Sequence, residues 1–380
     1  MLRARPVRSS VTIRRYLPPV LIGAALLAVL AIAADPYRLF GGGMTAQKPR
    51  IHHQAVMAKT YMLERVKPRT LLLGGAALES GLDPQSPVWP AGSAPVFNAG
   101  LPGRGLFLAA RLLDEAIAAG SVKTVIVALD FQTFLKPPTR KAPAMSADER
   151  RLRRNRGGRA NRYRLLQVAL DGAETVLSPV AILDSVQTLA DQRPGNPTPL
   201  GFDPMRREAE APNAAGSFAD AIAQQRQELT AAPRPDFLAL QDNEEFRALR
   251  RIIQLSRRHK IRLILFIPPY HACWLDLVQQ IGLWPWFENW KRALVHALVL
   301  EKGENIMLMD FSGYHGIARE PVPLSRHSGM RWYWNAVRFK PALGDIILER
   351  LVRQESGLGE SLTPDTLEVA LARERGSRAP

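Results

Sequence analysis

His271 is the residue whose surroundings best suit a catalytic base. It ends the segment Ile267-Pro-Pro-Tyr-His271, directly after an apolar run, and an imidazole exchanges protons near neutral pH. Asp130 or Asp310 could orient such a base, since each carboxylate also follows an apolar run. A loop histidine is more often hydrogen-bonded to backbone. We favour that interpretation because a base without a nucleophile performs no acyl transfer.

Cys273 is the single cysteine of the chain, so the chain can form no internal disulfide, zinc-cysteine cluster or Cys-x-x-Cys redox pair. A thiol can act as a nucleophile. The surrounding Ala-Cys-Trp-Leu run is apolar and helical in character, and it predicts a buried, structural Cys273. The sequence predicts neither a metal site nor a cofactor.

The elements that must position these residues can be recognised by their apolar patterns. Five short runs rich in branched residues are typical of buried strands; they are 70–73, 95–97, 123–129, 261–267 and 305–309. Stretches with apolar residues at i, i+3 and i+4 predict helices at 105–119, 243–259, 286–300 and 341–353. This alternation predicts an α/β fold with a doubly wound parallel sheet. Functional residues are then expected in the loops after the carboxyl ends of the strands.

Residues 17–34 form an uncharged apolar run, long enough as a helix to cross the roughly 30 Å hydrocarbon core. Signal peptides have shorter apolar regions, so an anchor is favoured, although Ala31-Ile32-Ala33 has the small-x-small pattern of a cleavage site. Five arginines and no acidic residue lie within 1–15, and this bias keeps the N-terminus in the cytoplasm. We expect a single-pass inner-membrane protein whose main domain is periplasmic.

The net charge of +16 is concentrated in a few places. Besides the N-terminal arginines, ten basic residues and only two acidic ones lie between Arg140 and Arg164. The remainder is close to neutral, which argues against a nucleic-acid partner. A solvated face or a disordered linker is the favoured interpretation of the Arg140–Arg164 cluster. Anionic polysaccharide or lipid headgroups are the alternative partners.

The composition, 46% hydrophobic and 23% charged, is that of a folded protein and excludes a disordered chain or a coiled coil. The patterns predict seven segments: a cytoplasmic arm (1–15), a transmembrane anchor (16–35), a juxtamembrane helical segment (36–68), the first half of the sheet domain (69–135), a basic helical insertion (136–240), the second half (241–353) and a flexible tail (354–380). The insertion has helix-like pieces at 161–192 and 213–230. Gly, Ser, Glu and Arg dominate the tail, which predicts that it is frayed.

Two motifs resemble the opening of the SGNH/GDSL hydrolase-like superfamily. They are LLLGGAALESGLDP (71–84) and FNAGLPGRG (97–105). More narrowly, the chain is similar to single-pass exported bacterial proteins related to the alginate O-acetyltransferase type. Further resemblance lies in 129–131, 267–271, 310–314 and 331–340, in the expected order. The resemblance implies a flavodoxin-like SGNH fold, with an Asn-x-Gly-x-x-Gly loop, here Asn98, Gly100 and Gly103, that supplies a backbone donor to an oxyanion.

The departures from the superfamily pattern fall where the chemistry would be. Such families carry a serine nucleophile in the first turn, which here reads Gly74-Gly75-Ala76 and has Ala76 in place of the serine. The methyl group of alanine has no lone pair to attack an acyl carbon. In the segment 331–340, the superfamily has an acidic residue followed three positions later by the histidine that transfers the proton. In this chain Asn335 and Arg338 occupy these two positions. Arginine stays protonated and cannot act as a general base. Asp130 stands near the place of an oxyanion-hole asparagine, where a carboxylate would repel an oxyanion.

The resemblance and the missing triad together predict a pseudoenzyme. Its expected role is binding or scaffolding in the export or modification of a cell-surface polysaccharide, with an anionic polysaccharide or other membrane proteins as partners. One alternative is an active esterase or O-acetyltransferase that uses His271, Asp310 and Arg338. Another is a purely structural partner of a membrane complex. The predicted pocket residues are Gly74, Gly75, Asn98, Gly100, Gly103, Asp130, His271 and Asp310.

Two features of this predicted cleft each allow two interpretations. Arg338 is expected either to hold an anion such as a uronate carboxylate or to pair with Asp130 or Asp310. Five tryptophans could offer flat faces to sugar rings, but packing is the more common role of such aromatic residues. They are Trp284, Trp286, Trp290, Trp332 and Trp334.

Overall fold

The structure, a computed structural model, describes residues 10–41, 45, 47–48, 50–137, 145–192, 214–302, 306–323 and 329–377. The chain divides into two compact units. Unit 1 comprises Met1–Tyr61 and Arg162–Thr198, and unit 2 comprises Met62–Asn161 and Pro199–Pro380. The segment 136–240 contributes residues to both units.

The helices and strands are numbered in chain order. The helices are α1 (Ser10–Ala34), α2 (Ala55–Val66), α3 (Ala76–Gly81), α4 (Leu106–Ala118), α5 (Phe131–Phe134), α6 (Ala147–Arg150), α7 (Arg164–Leu177), α8 (Pro179–Ala190), α9 (Ala214–Ala231), α10 (Glu244–Arg258), α11 (Ala272–Gln280), α12 (Trp284–Leu300), α13 (Pro341–Leu348) and α14 (Leu367–Gly376). The strands are β1 (Thr70–Leu73), β2 (Val96–Asn98), β3 (Thr124–Ala128), β4 (Arg262–Ile267), β5 (Met307–Asp310), β6 (Tyr333–Asn335), β7 (Arg338–Phe339) and β8 (Glu360–Ser361).

Unit 2 is built on a six-stranded, mostly parallel sheet. The strand order is β2-β1-β3-β4-β5-β8, and β8 joins β5 in the antiparallel direction. The register places Leu71 opposite Val125, and Ile126 opposite Ile264. The chain is therefore a mixed α/β protein, as its pattern predicts. Each of the five predicted apolar runs overlaps one of the parallel strands. Strands β2 and β5 each extend one residue past the predicted run, to Asn98 and Asp310, and Asn305 lies outside the described residues.

The centres of the parallel strands are apolar because both faces of the sheet are covered, and polar residues such as Thr70 and Asp310 stand only at strand ends. Leu71, Leu72 and Leu73 are fully buried, as are the centres of β3 and β4. Burial of one such side chain contributes roughly 1.5–3 kcal/mol. Continuous apolar strands of this kind are typical of parallel sheets.

Helix α10 shows how the sequence determines a helix and its buried face. The side chain of Asn243 caps its start, because Oδ1 accepts a hydrogen bond from the N–H of Glu245 at 2.9 Å. Arg257 and Arg258 in the last turn suit the negative end of the helix dipole. The buried face includes Phe246 and Leu249, and the helix packs against α4.

The prediction of a frayed tail over 354–380 is wrong for residues 360–376. Strand β8 extends the sheet, with Ser361 opposite Met309, and α14 buries Leu367 and Leu371. Glu374 of α14 also bonds to Lys291 of α12, with 2.7 Å between Oε2 and Nζ. Two buried leucines one turn apart and one ion pair hold this segment in place. Because the rest of the segment is polar, its sequence pattern alone predicts a frayed tail.

Unit 1 contains α1, α7, α8 and part of α2. In α1, Tyr16–Ala34 is long and apolar enough to cross a membrane, and little of this stretch is buried within the protein. Helices α7 and α8 pack against each other and against α1. A small apolar core in this unit includes Tyr37, Met57, Tyr61 and Ala181.

Candidate functional site

The turn after β1 places Ala76 at the first position of α3. A Cβ atom on Gly74 would lie only 2.9 Å from the Cβ of Ala128, so the close approach of β1 and β3 requires glycine there. Gly75 is the extended residue before the helix. Gly74, Gly75 and Ala76 are each partly exposed. The position predicted for a nucleophile therefore lies at an accessible strand-to-helix turn and carries only a methyl group.

Ser80 carries the first hydroxyl after this turn along the chain, and this hydroxyl is bonded within the helix. Its side chain is buried. Oγ donates to the carbonyl oxygen of Ala76 at 2.8 Å, one turn back in α3. A hydroxyl bonded in this way cannot replace the missing nucleophile.

Asn98 ties the second motif to α3. Its Nδ2 donates to the carbonyl oxygens of Leu82 at 2.9 Å and Leu78 at 3.2 Å. Its Oδ1 accepts from the N–H of Gly100 at 2.9 Å. A Cβ on Gly100 would lie 2.9 Å from the nitrogen of Glu79, so the loop fits against α3 only with glycine at this position.

The same loop is also fastened to the first turn. The N–H of Leu101 donates to the carbonyl oxygen of Gly74 at 2.8 Å. Gly103 has a φ of +70°, in the left-handed region that favours glycine. The structure therefore brings the two motifs together at the carboxyl ends of the neighbouring strands β1 and β2.

Asp130, at the end of β3, caps the short helix α5. Its Oδ1 accepts from the N–H of Gln132 at 3.3 Å and from the hydroxyl of Tyr270 at 3.0 Å. The Tyr270 hydroxyl in turn accepts from the N–H of Phe131 at 3.2 Å. Burial raises the pKa of Asp130, and the hydrogen bond from Tyr270 opposes this effect. These contacts give Asp130 a structural role.

His271 has both ring nitrogens bonded to backbone, which confirms the interpretation favoured from the sequence. Nδ1 accepts from the N–H of Cys273 at 3.2 Å, so His271 caps α11. Nε2 lies 2.8 Å from the carbonyl oxygen of Glu320 and donates to it. The rings of Phe218 and Tyr333 meet the imidazole edge-on. Burial lowers the pKa of His271.

The prediction of a buried Cys273 is wrong, because the residue is exposed. It occupies the first turn of α11, whose buried face is formed by Trp274, Leu275, Leu277 and Val278. Desolvation, with Asp276 nearby, raises the pKa of the Cys273 thiol. The thiol is therefore protonated near neutral pH and is a weak nucleophile.

Asp310, at the end of β5, is engaged by a buried lysine and not by His271. Lys291 Nζ lies 2.8 Å from Oδ2 of Asp310. The other carboxylate oxygen accepts from the hydroxyl of Ser312 at 2.6 Å and from its N–H at 2.9 Å. Burial tends to lower the pKa of Lys291, but Asp310 and Glu374 outweigh it and raise that pKa. The arrangement is a buried ion cluster that joins α12, β5 and α14.

Asn335 and Arg338 lie opposite each other in the β6–β7 hairpin. Oδ1 of Asn335 accepts from the N–H of Val337 at 3.1 Å and so shapes the turn. The hairpin packs on α3, because a Cβ on Gly81 would clash with the ring of Phe339.

The same hairpin contacts the loop before α11. The N–H of His271 donates to the carbonyl oxygen of Ala336 at 3.0 Å. The elements that carry Ala76, Arg338 and His271 therefore meet, although their side chains form no triad in the described contacts.

The tryptophans mostly fill the interior of unit 2. Trp284, Trp290 and Trp334 are buried. Trp286 and Trp332 are partly exposed, and the guanidinium of Arg331 stacks 4.2 Å above the ring of Trp332. The packing interpretation is confirmed for the three buried rings.

The basic cluster is organised by acidic partners over residues 145–161, so it is not a disordered linker there. Arg156 pairs with Glu149 at 2.6 Å, and Arg151 pairs with Asp148 at 2.8 Å. Arg153 reaches Glu64 at 3.1 Å. Arg140 and Lys141 lie outside the described residues.

Sequence reasoning missed Glu245, a fully buried carboxylate that holds the second motif. Its Oε2 accepts from the N–H of Leu106 at 2.5 Å, and its Oε1 pairs with Lys136. A side chain on Gly105 would clash with this carboxylate. Burial raises the pKa of Glu245, and Lys136 opposes this effect. The signal in the sequence is the last glycine of FNAGLPGRG, which leaves room for a partner distant in the chain.

No group of three or more His, Cys, Asp or Glu side chains suited to a metal ion occurs within the described ranges. No model of a known protein family and no curated protein matches this chain.

Proposed function

We propose that this protein is a membrane-anchored, catalytically inactive member of the SGNH hydrolase-like superfamily. Its proposed role is binding or scaffolding in the export or modification of a cell-surface polysaccharide. The order β2-β1-β3-β4-β5 supports the doubly wound fold, because flavodoxin-like sheets have this order. In such folds ligands bind outside the carboxyl ends of the strands.

The observation that carries the inactive assignment is Ala76 at the accessible turn between β1 and α3. The position suits a nucleophile, but an alanine methyl group cannot attack an acyl carbon. The hydroxyl of Ser80, one turn further along α3, is bonded within its own helix. The acyl-transfer mechanism of this superfamily therefore has no starting group here.

The active-enzyme alternative has less support. It requires His271 to act as a base, yet both of its ring nitrogens bond to backbone. It also uses Asp310, whose carboxylate is bound by Lys291 and Ser312. A base and an acid that are committed to separate structural contacts do not form a proton relay.

The anchor and the charge bias support the proposed location. Helix α1 is suited to span the inner membrane. The arginines within 1–15 favour a cytoplasmic N-terminus and hence a periplasmic unit 2. We infer an anionic polysaccharide as the ligand, because Arg338 lies in the hairpin that packs on α3 and a guanidinium binds carboxylates well.

The test uses the full-length protein in lipid nanodiscs. Ala76→Phe adds a bulky ring at the partly exposed turn between β1 and α3, and Leu238→Phe adds a similar group at a leucine that is 82% exposed in another part of unit 2. Calorimetry with a polyuronate and with neutral dextran should show polyuronate binding that Ala76→Phe weakens at least about tenfold, or about 1.4 kcal/mol, and Leu238→Phe leaves unchanged. Hydrolysis of an activated acetyl ester should stay at the background rate.

Two results would replace this proposal. Ester turnover that His271→Ala abolishes would show an active enzyme with a non-standard site. Absence of saccharide binding, together with co-purification of defined membrane proteins, would show a structural partner of a membrane complex.

A further inference from the structure

Helices α7 and α8 of unit 1 have their polar side chains inside and their apolar side chains outside. The buried residues of α7 are Gln167, Asp171 and Thr175. The leucines of α7 that are more than half exposed are Leu165, Leu166, Leu170 and Leu177. A helix on the surface of a water-soluble domain has the opposite arrangement.

Helix α8 continues the pattern. Asp184, Ser185 and Thr188 are buried. Val180, Leu183, Val186 and Leu189 are exposed, with exposed fractions from 39% to 60%. Glu174 is the one exposed charged residue between 165 and 190, and it bonds to Nε2 of Gln54 at 3.2 Å. The two helices therefore present one apolar surface, the α7–α8 leucine face.

The two buried carboxylates of the inner face, Asp171 and Asp184, are bonded within unit 1. Asp171 accepts from the hydroxyl of Tyr61 at 2.7 Å and from Nε2 of Gln167 at 2.9 Å. Asp184 accepts from the hydroxyl of Tyr37 at 2.5 Å and lies 2.7 Å from Nδ1 of His53. This network satisfies polar groups that would be costly in an apolar medium. These bonds fix the polar faces of α7 and α8 toward the interior of unit 1. The leucines on the opposite faces therefore point outward.

The leucine face lies beside α1, and this position indicates that lipid covers the face. Helix α1 packs against both α7 and α8, and it exposes Leu26, Val29 and Ile32 itself. A helix that crosses the bilayer brings its neighbours in the same unit to the bilayer. At the start of α7, Arg162 and Tyr163 stack with 4.7 Å between the guanidinium and the ring. Cations and tyrosines are typical of the border between lipid and water.

Helices α7 and α8 do not form one straight span, and by length and composition the bent pair fits either a broken span or a re-entrant element. The axes of α7 and α8 differ by 66° across a short break at Ser178. At 1.5 Å per residue the helices are about 21 Å and 18 Å long, so a bent pair with both ends at the surface reaches about 10 Å into one leaflet of a roughly 30 Å core. This depth suits a re-entrant element.

We propose that α7 and α8 form a re-entrant membrane element whose leucine face lies among the lipid acyl chains of the leaflet beside the carboxyl end of α1. The inference rests on the anchoring part of the proposed function and adds a second site of membrane contact. The occupant is lipid, and not a second copy of the chain or another protein. The membrane then fixes unit 1 at two elements.

Single cysteines labelled with an environment-sensitive nitrobenzoxadiazole dye test the proposal. The full-length Cys273→Ser variant is the background, and cysteine replaces Leu170, Leu183, Leu26 of α1 or Leu238 of unit 2 in separate variants. All four leucines are more than half exposed, so the substitutions disturb little packing, and thermal unfolding confirms that each variant is folded. The proteins are reconstituted into vesicles of phosphatidylethanolamine and phosphatidylglycerol.

Dye at Leu170 and Leu183 should emit at shorter wavelength than dye at Leu238. Spin labels on the acyl chains should quench the dye at least about threefold more strongly at Leu170 and Leu183 than at Leu238, because these labels lie within the hydrocarbon core. Emission at Leu170 and Leu183 equal to that at Leu238 would overturn the proposal. Shielding from aqueous iodide without quenching by labelled lipid would also overturn it and would show a protein on this face.

Labelling at Leu26 distinguishes the two parts of the inference, which are the anchor α1 and the membrane contact of α7 and α8. Quenching at Leu26 alone leaves α1 as an anchor and rejects the re-entrant element. Absence of quenching at Leu26, Leu170 and Leu183 together rejects the anchor and, with it, the membrane contact of α7 and α8.

Discussion

The ammonium of Lys291 lies 2.8 Å from Oδ2 of Asp310, at the carboxyl end of β5. This edge of a parallel sheet is where functional carboxylates are expected. Lys291 is buried and also pairs with Glu374. The carboxylate that could have oriented a catalytic histidine instead holds α12 and α14 against the sheet.

Replacement of Lys291 by methionine should lower the free energy of unfolding by about 3–5 kcal/mol, because two buried carboxylates lose their cation. Arg292→Met is the matched control. Arg292 pairs with the largely exposed Glu368 and, at 3.5 Å, with Glu288, which keeps Arg375 as a partner. Solvent-exposed pairs contribute about 0–1 kcal/mol. Urea unfolding of the full-length protein in detergent, followed by tryptophan fluorescence, measures both values. Equal losses in the two variants would contradict the cluster.

His271 should make unfolding sensitive to acid. Burial lowers the pKa of His271 in the folded state. Below about pH 6.5 the unfolded chain therefore binds the proton more readily than the folded one, and stability falls as pH falls, by up to about 1.4 kcal/mol per pH unit. The contribution is complete above the unfolded pKa. Glu320 and Asp276, both near the ring, favour the protonated form and moderate the effect.

His271→Asn provides the comparison, because asparagine can still cap α11 but does not titrate. The difference in unfolding free energy between the two proteins should change with pH from 7 to 5. Burial also lowers the pKa of His315, so the variant should retain part of the slope. A difference that is constant over this range would show that His271 takes up its proton equally well in the folded protein.

The strands were predictable because a parallel sheet buried on both faces requires continuous apolar runs, as in Thr70–Leu73. The ion pair that holds α14 in place could not be predicted, because Lys291 and Glu374 are 83 residues apart and an ion pair leaves no periodic signal in the sequence. The prediction that Cys273 is buried failed for a related reason. An apolar stretch does not show which side of a short helix faces the core. A helix-like piece over 161–192 was predicted, but the inverted orientation of α7 and α8 depends on their distant partners Tyr37, His53 and Tyr61.

Gly105→Ala should destabilise the protein by about 1–3 kcal/mol, because the added methyl group meets the buried carboxylate of Glu245. Gly316→Ala is the matched control, since a Cβ at Gly316 has no neighbour within 4 Å. Urea unfolding measures both changes. The Gly105 effect should shrink when Glu245→Ala is combined with it, because the obstructing group is then absent. Independent, additive effects would indicate that the clash is relieved by another movement.

Restoration of the superfamily residues tests whether the scaffold still positions a triad. The triple variant Ala76→Ser, Asn335→Asp and Arg338→His should react with a fluorophosphonate probe, because the hairpin of the last two residues packs on α3, which begins with the first. Ala76→Ser alone should react about 10²–10⁴-fold more slowly, since its hydroxyl has no base. In-gel fluorescence over time gives both rates. Equal labelling of the single and triple variants would show that Arg338 does not occupy the position of a base, and the inactive assignment would then rest on Ala76 alone.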